Sequence, residues 1–134
     1  MTAVRTQFRV IYGDTDAMGI AYYGNYLKWF EIGRSEWFRN TGTTYRELEK
    51  NGLYMPVVEA HCTYLKPAFY DDLLTIETSF QFSGSAKLRF DYVILRGDEI
   101  CTRGYTVHVC MNSERKVQKP PPYLRKLLES GEIE

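Results

Sequence analysis

No stretch of this 134-residue chain approaches the ~20 consecutive apolar residues that cross a bilayer, so no membrane-inserted helix is expected. No apolar segment follows Met1-Thr2-Ala3-Val4-Arg5, so no signal peptide is expected and the expected compartment is cytoplasmic. Neither sign of charge is in surplus: Lys plus Arg and Asp plus Glu number 17 each. Phosphate-backbone binding needs a basic excess, which argues against nucleic acid as the main partner. Histidine is scarce. His61 and His108 lie far apart with no helical H-x-x-x-H spacing, so no metal site is expected and both read as structural. The three cysteines, Cys62, Cys101 and Cys110, make no C-x-x-C pair, and an odd set fits buried reduced thiols better than disulfides or zinc. Gly13 and Gly19 do not form a G-x-G-x-x-G loop, and no G-x-S-x-G elbow occurs, which argues against a phosphate cradle and a serine hydrolase. Repeats, low-complexity segments and linkers are also missing, so residues 1–134 read as one domain.

What is abundant is tyrosine, at 11, which suits half-buried strands and an aromatic-lined cleft. The stretch Tyr12 to Arg34, YGDTDAMGIAYYGNYLKWFEIGR, holds the densest pattern. It reads as a strand end, a turn at Gly13-Asp14-Thr15-Asp16, a small-residue loop at Gly19 and a helix from Tyr23 or Gly24 to about Asn40, with Gly42 as stop signal. At 100° per residue, Tyr22, Tyr26, Phe30, Gly33 and Trp37 share a stripe, widened by Leu27, Phe38 and Trp29. A helix so apolar around its girth is expected to be buried, with Gly33 tolerated where it lies close against a sheet. Asp16 stands a few residues upstream of the helix N-terminus, whose free N–H groups carry partial positive charge. A carboxylate beside such an oxyanion site is what acyl transfer or hydrolysis needs. Asp14 reads as a turn residue, and Asn25 as a first-turn group satisfying orphan amides.

Strand alternation is predicted at Thr6 to Tyr12, Leu53 to Leu65, Leu74 to Phe82, Lys87 to Arg96 and Ile100 to Met111, with hairpin turns at Ser83-Gly84-Ser85 and Gly97-Asp98. A short helical region is predicted at Thr43 to Asn51, and a terminal helix at Tyr123 to Glu129 behind Pro122. The expected architecture is α+β: one long buried helix wrapped by a five-stranded antiparallel sheet, plus a short C-terminal helix. One helix cannot cover both faces of such a sheet, so a dimer is expected.

The pattern Asp14-Thr15-Asp16-x-x-Gly19-x-x-Tyr22-x-x-x-Tyr26-x-x-x-Phe30-Glu31-x-x-Arg34, with the later Tyr70-Asp71-Asp72-Leu73-Leu74-Thr75-Ile76-Glu77-Thr78, resembles the hotdog-fold acyl-CoA thioesterases. The branch it resembles is that of 4-hydroxybenzoyl-CoA thioesterase and the Tol-Pal-associated thioesterases. The resemblance implies hydrolysis of an acyl- or aryl-CoA without a cofactor, coenzyme A being part of the substrate. It implies Asp16 as nucleophile or general base and the Tyr23 backbone N–H as oxyanion donor. Many Tol-Pal-associated relatives carry histidine where this chain has Tyr23, which moves the chain toward the aryl-CoA type. Tyr22, Tyr26, Glu31, Val58 and Glu59 are the expected substrate-binding residues, the last two reaching the site from the partner in a homodimer or homotetramer. Lys87 and Arg89 are candidates for the coenzyme A phosphates. A hydratase of this fold would pair its aspartate with a histidine where this chain has Ala21. The alternative of another class is a non-catalytic acyl-CoA-binding or protein-docking module.

Overall fold

The computed structural model describes residues 3–131. Strand β1 (Val4–Arg9) leads through a 3-10 turn (Tyr12–Asp14) into helices α1 (Asn25–Asn40) and α2 (Tyr45–Lys50). Strands β2 (Val57–Tyr64), β3 (Leu73–Ser83), β4 (Lys87–Arg96), β5 (Glu99–Met111) and β6 (Val117–Gln118) follow, and helix α3 (Pro122–Gly131) closes the described chain. All pairings are antiparallel, in the order β1-β3-β4-β5-β2, with β6 added to the end of β5. This is the α+β arrangement expected, with five principal strands. The two-residue β6 has no alternation to announce it. It exists because Asn112 Oδ1 accepts the amides of Glu114 and Lys116, turning the chain so that Val117 pairs with Met111. No helix among the described residues is long and apolar enough to cross a membrane.

Helix α1 lies on one face of the sheet and buries Tyr26, Trp29, Phe30, Gly33, Trp37 and Phe38. Phe30 stacks on Tyr92 of β4 at 4.3 Å between ring centroids, and Trp37 meets Phe90 edge-on at 5.3 Å. Gly33 is a point of closest approach, as its place on the stripe predicts: a Cβ there would collide with Thr78 Oγ1 and come within 3.0 Å of Ile76 Cδ1. Two expectations about this region are corrected. Strand β1 ends at Arg9 rather than Tyr12, because the buried Asp14 carboxylate accepts the Ile11 amide at 3.0 Å and draws the chain into a turn. The helix is not buried all round, since Leu27 and Ile32 are exposed and Tyr22 lies before the first turn, also exposed.

On β3 and β4 the alternation predicts the core directly: Leu74, Ile76, Phe80, Leu88, Phe90, Tyr92 and Ile94 are all buried. Strand β5 behaves otherwise. Tyr92 pairs with Gly104, Phe90 with Thr106 and Leu88 with His108, and directly opposed residues share a face. The helix-facing side of β5 is therefore the small and polar set Thr102, Gly104, Thr106 and His108, not the apolar set with Tyr105 and Val107. The space is already filled from above. A Cβ on Gly104 would lie 2.5 Å from Phe30 Cζ and 2.5 Å from the His61 carbonyl oxygen.

Candidate active site

The loop between the 3-10 turn and α1 is built around Asp14. This side chain is only 7% exposed, and its Oδ1 accepts Lys28 Nζ at 3.2 Å. Its carbonyl oxygen accepts the Tyr22 amide at 2.8 Å and Asn25 Nδ2 at 2.7 Å. The turn reading of Asp14 is thus right, but Asn25 acts as a donor to a loop carbonyl rather than as a cap for helix amides. Bridges of Thr15 with Ala21 and of Ile20 with Phe69 hold the loop flat against the sheet end, and Ala21 N donates to Ala68 O at 2.8 Å.

Asp16 is held at the tip of this loop. Its Oδ1 accepts the Met18 amide at 2.8 Å, and its backbone bonds both ways across the turn, to Ile20 O and from Gly19 N. Gly19 takes a φ of 80°, the left-handed conformation that closes such a turn. No partner for Asp16 Oδ2 is found among the described residues. Asp16 lines a cleft of about 380 Å³ together with Met18, Ile20, Ala21, Tyr23, Tyr26 and the segment 64–67. The cleft floor is aromatic: Tyr26 and Tyr64 meet edge-on at 5.0 Å, and Tyr64 and Tyr23 at 6.4 Å. Burial pushes the Tyr64 phenol up to about 12, so its hydroxyl stays a donor.

At the mouth of α1 the chain leaves amides open. Tyr22 O accepts the Asn25 amide at 3.0 Å, and Tyr23 O accepts that of Tyr26 at 3.3 Å. Among the described residues no backbone carbonyl accepts the amides of Tyr23 and Gly24. A residue with an unpaired carboxylate oxygen, Asp16, and one with an open amide, Tyr23, thus line one apolar cleft, the combination that can attack a carbonyl and hold the oxyanion that results.

Within one chain the structure brings together Asp16, Tyr23 and Tyr26 from the expected set. It does not bring the others. Tyr22 packs on the Tyr23 ring at 4.6 Å outside the cleft. Glu31 lines a separate shallow groove on the far side of α1 with Lys28, Ile32 and Ser35. It pairs with neither Lys28 nor Arg34, three residues away on the helix, because Lys28 goes to Asp14 and Arg34 turns inward. Val58 and Glu59 are exposed on β2, an edge strand of the sheet. Arg89, the phosphate candidate, lies outside the cleft of its own chain. Strand parity puts it on the sheet face away from α1, bonded to Asp91 at 2.9 Å and laid over the Tyr105 ring at 3.9 Å. Lys87 shares that parity at the hairpin end and does not reach the cleft. The basic residue that lines the cleft is Lys66, tied to Glu99 at 3.0 Å. Tyr64, Leu65, Lys66 and Pro67 were not singled out by sequence; the available signal was Tyr64, which shares its β2 face with Ala60 and Cys62.

The two histidines and the buried Arg34 are not in the cleft. Arg34 donates from Nε to Tyr45 Oη at 2.7 Å and from Nη1 to Tyr92 Oη at 2.9 Å, and no carboxylate pairs with it among the described residues. Tyr92 Oη lies 2.6 Å from Thr106 Oγ1, which lies 2.8 Å from His108 Nε2, and His108 Nδ1 lies 3.0 Å from Met55 O. A carbonyl can only accept, so Nδ1 carries the proton, Nε2 accepts from Thr106, and Thr106 accepts from Tyr92. Every donor points the same way along the chain from Arg34 to Met55. Burial holds His108 neutral and pushes its pKa down to about 4. The unfolded imidazole binds its proton near 6.5, so this contribution to stability is complete above about pH 6.5 and is lost as pH falls toward about 4. The loss amounts to about 3 kcal/mol at ~1.4 kcal/mol per unit. Ring-proton NMR from about pH 7 to about pH 5 should leave the His108 signals unmoved; a normal histidine titration would refute the assignment. His61, by contrast, is exposed and stacks on Tyr105 at 5.3 Å. Cys101 and Cys110 are buried free thiols and Cys62 a half-buried one.

A single long helix laid on an antiparallel sheet, with a carboxylate-bearing loop before the helix start, defines the hotdog class. The chain belongs to the thioesterase-like superfamily, whose profile matches residues 10–128. The acyl-CoA thioesterase YbgC of Haemophilus influenzae is 31% identical over 105 residues, 78% of this chain and 77% of that protein. The 1,4-dihydroxy-2-naphthoyl-CoA hydrolase of Synechococcus elongatus is 27% identical over 117 residues, 85% of this chain and 86% of that one. A solved DHNA-CoA thioesterase from Staphylococcus aureus superimposes with a TM-score of 0.90 at 28% identity, covering 97% of this chain and 89% of that one.

Proposed function

We propose that this chain is a single-domain hydrolase of acyl- or aryl-CoA thioesters, releasing the free acid and coenzyme A. The observation that carries the reading is the unpartnered Asp16 Oδ2 and the open Tyr23 amide on one apolar cleft, in a member of the thioesterase-like superfamily. The thioester oxygen sits at the Tyr23 N–H. Asp16 either attacks the carbonyl carbon or takes a proton from the water that does. The tetrahedral oxyanion collapses with loss of the coenzyme A thiolate. In the first route water then cleaves the Asp16 mixed anhydride. The chemistry asks for no metal or cofactor.

The functional unit we propose is a homodimer joined along β2. That strand is one of the two edges of the sheet, all of its residues but Cys62 are exposed, and it carries Val57, Val58 and Tyr64 in that state. An uncovered edge of this length invites pairing with a second copy. Pairing would also cover exposed apolar residues of the cleft wall and carry Val58 and Glu59 to the neighbouring site. The test is thiol release by the purified protein across short, medium, long and aromatic acyl-CoAs, beside sedimentation analysis of its assembly state. A sharp substrate optimum from a dimer or tetramer is the expected result. Negligible release from every thioester with intact binding would point instead to a binding module.

A further inference from the structure

Tyr64 holds a position that the reaction above does not use. Its backbone is fixed on both sides: it pairs with Thr102 in the sheet, and the next two amides, of Leu65 and Lys66, both donate to Cys101 O at 2.9 and 3.0 Å. From this anchored strand end the phenol crosses the cleft, and its hydroxyl donates to the carbonyl oxygen of Tyr23 at 3.0 Å. Tyr64 as a whole is 47% exposed, its ring set against those of Tyr26 and Tyr23. The Tyr23 carbonyl also takes the Tyr26 amide, at 3.3 Å, a long bond at the frayed start of a helix. Gly24 follows, with no side chain to brace it and no side-chain cap for the helix. The tie from Tyr64 is the one side-chain hydrogen bond to this peptide among the described residues.

We infer that Tyr64 is a positioning residue for the oxyanion donors: its hydroxyl clamps the Tyr23 carbonyl and thereby fixes where the Tyr23 and Gly24 amides point. The inference rests on the thioesterase reading for its catalytic meaning. In a trans peptide the C=O and N–H point in opposite directions, and no cis bond is present among the described residues. Holding Tyr23 O therefore orients Gly24 N–H directly, and it fixes ψ of the residue whose own N–H is the proposed donor. A clamp of this kind contributes little to ground-state binding. Its effect falls on the transition state, where charge on the substrate oxygen makes the amide direction matter.

Tyr64→Phe keeps the ring and removes only the hydroxyl. The expected result is a kcat lower by about tenfold, the scale of one hydrogen bond, with KM within about twofold and an unchanged melting temperature. An unchanged kcat, or a loss carried wholly by KM, overturns the inference while leaving the hydrolase reading intact. A second measurement does not depend on turnover. In ¹⁵N NMR of the full chain, the Gly24 amide signal, on the far side of the peptide bond from the clamped carbonyl, should shift in Tyr64→Phe while signals of β3 and β4 stay in place. An unmoved Gly24 signal overturns the clamp. If wild-type protein releases no thiol from any thioester, the hydrolase reading falls, and the Gly24 signal alone decides whether Tyr64 holds the peptide.

Discussion

Asp16→Asn should lower thioester turnover by about 10²–10⁴-fold, the range expected when a positioned acid–base group is removed, while the fold is kept. The structural reason for choosing asparagine is specific to this loop. Asp16 Oδ1 accepts the Met18 amide and closes the turn before Gly19. An asparagine side-chain oxygen accepts the same bond, and asparagine is at home in such turns. What disappears is the anionic Oδ2, which can neither attack a carbonyl nor accept a proton from water once it is an amide nitrogen. Thiol-release kinetics, with circular dichroism to check the fold, separate the two effects. A variant retaining full kcat would remove Asp16 from the chemistry, and a variant that unfolded would make it a loop brace like Asp14.

Gly104→Ala should be strongly destabilising for a change of one methyl group. The added carbon would meet Phe30 Cζ and Cε2 at 2.5 and 2.6 Å and the His61 carbonyl oxygen at 2.5 Å. None of these can retreat cheaply. Phe30 is stacked on Tyr92 and fully buried, and the His61 carbonyl belongs to the β2–β5 ladder. Overpacking of this kind costs roughly 1–3 kcal/mol where side chains can adjust, and more where backbone must move. We expect a loss of at least ~3 kcal/mol, which for a domain of this size lowers the melting temperature by roughly 10 °C or more. Calorimetry of the variant beside wild type checks this. A melting temperature within a degree or two would show that α1 can lift from the sheet without penalty, contrary to the packing described.

These two positions also mark where the sequence is readable and where it is not. The Asp16 loop is legible because its chemistry is local: a turn, a small-residue crossing and a helix start lie within one short stretch. The alternation in β4 is legible because large apolar residues face the helix and polar ones face away. Strand β5 misleads for a physical reason. The volume under α1 is taken by Phe30 and Tyr92, so β5 contributes the small and polar Thr102, Gly104, Thr106 and His108 there, while Tyr105 and Val107 lie on the other face. Arg34 misleads in the same way, since a charge on a helix reads as surface, whereas here two phenols accept its hydrogens inside the protein. The far wall of the cleft, Tyr64 to Pro67, comes from a strand distant in sequence, and no local pattern links it to Asp16.

The polar chain from Arg34 to Met55 has a further consequence, for folding. It connects α1, α2, β4, β5 and the segment before β2 in a single direction of donation. A slip of one residue between β4 and β5 would send Tyr92 to the opposite face. Arg34 would then be buried against the sheet with a missing acceptor, and burying a charge so poorly satisfied is strongly unfavourable. Apolar side chains alone discriminate less against a slip of two residues, which keeps every side chain on its face but still takes Tyr92 away from Arg34. A guanidinium that accepts only one arrangement of phenols penalises the alternatives, and so acts as a proofreading element for strand alignment rather than as a source of net stability.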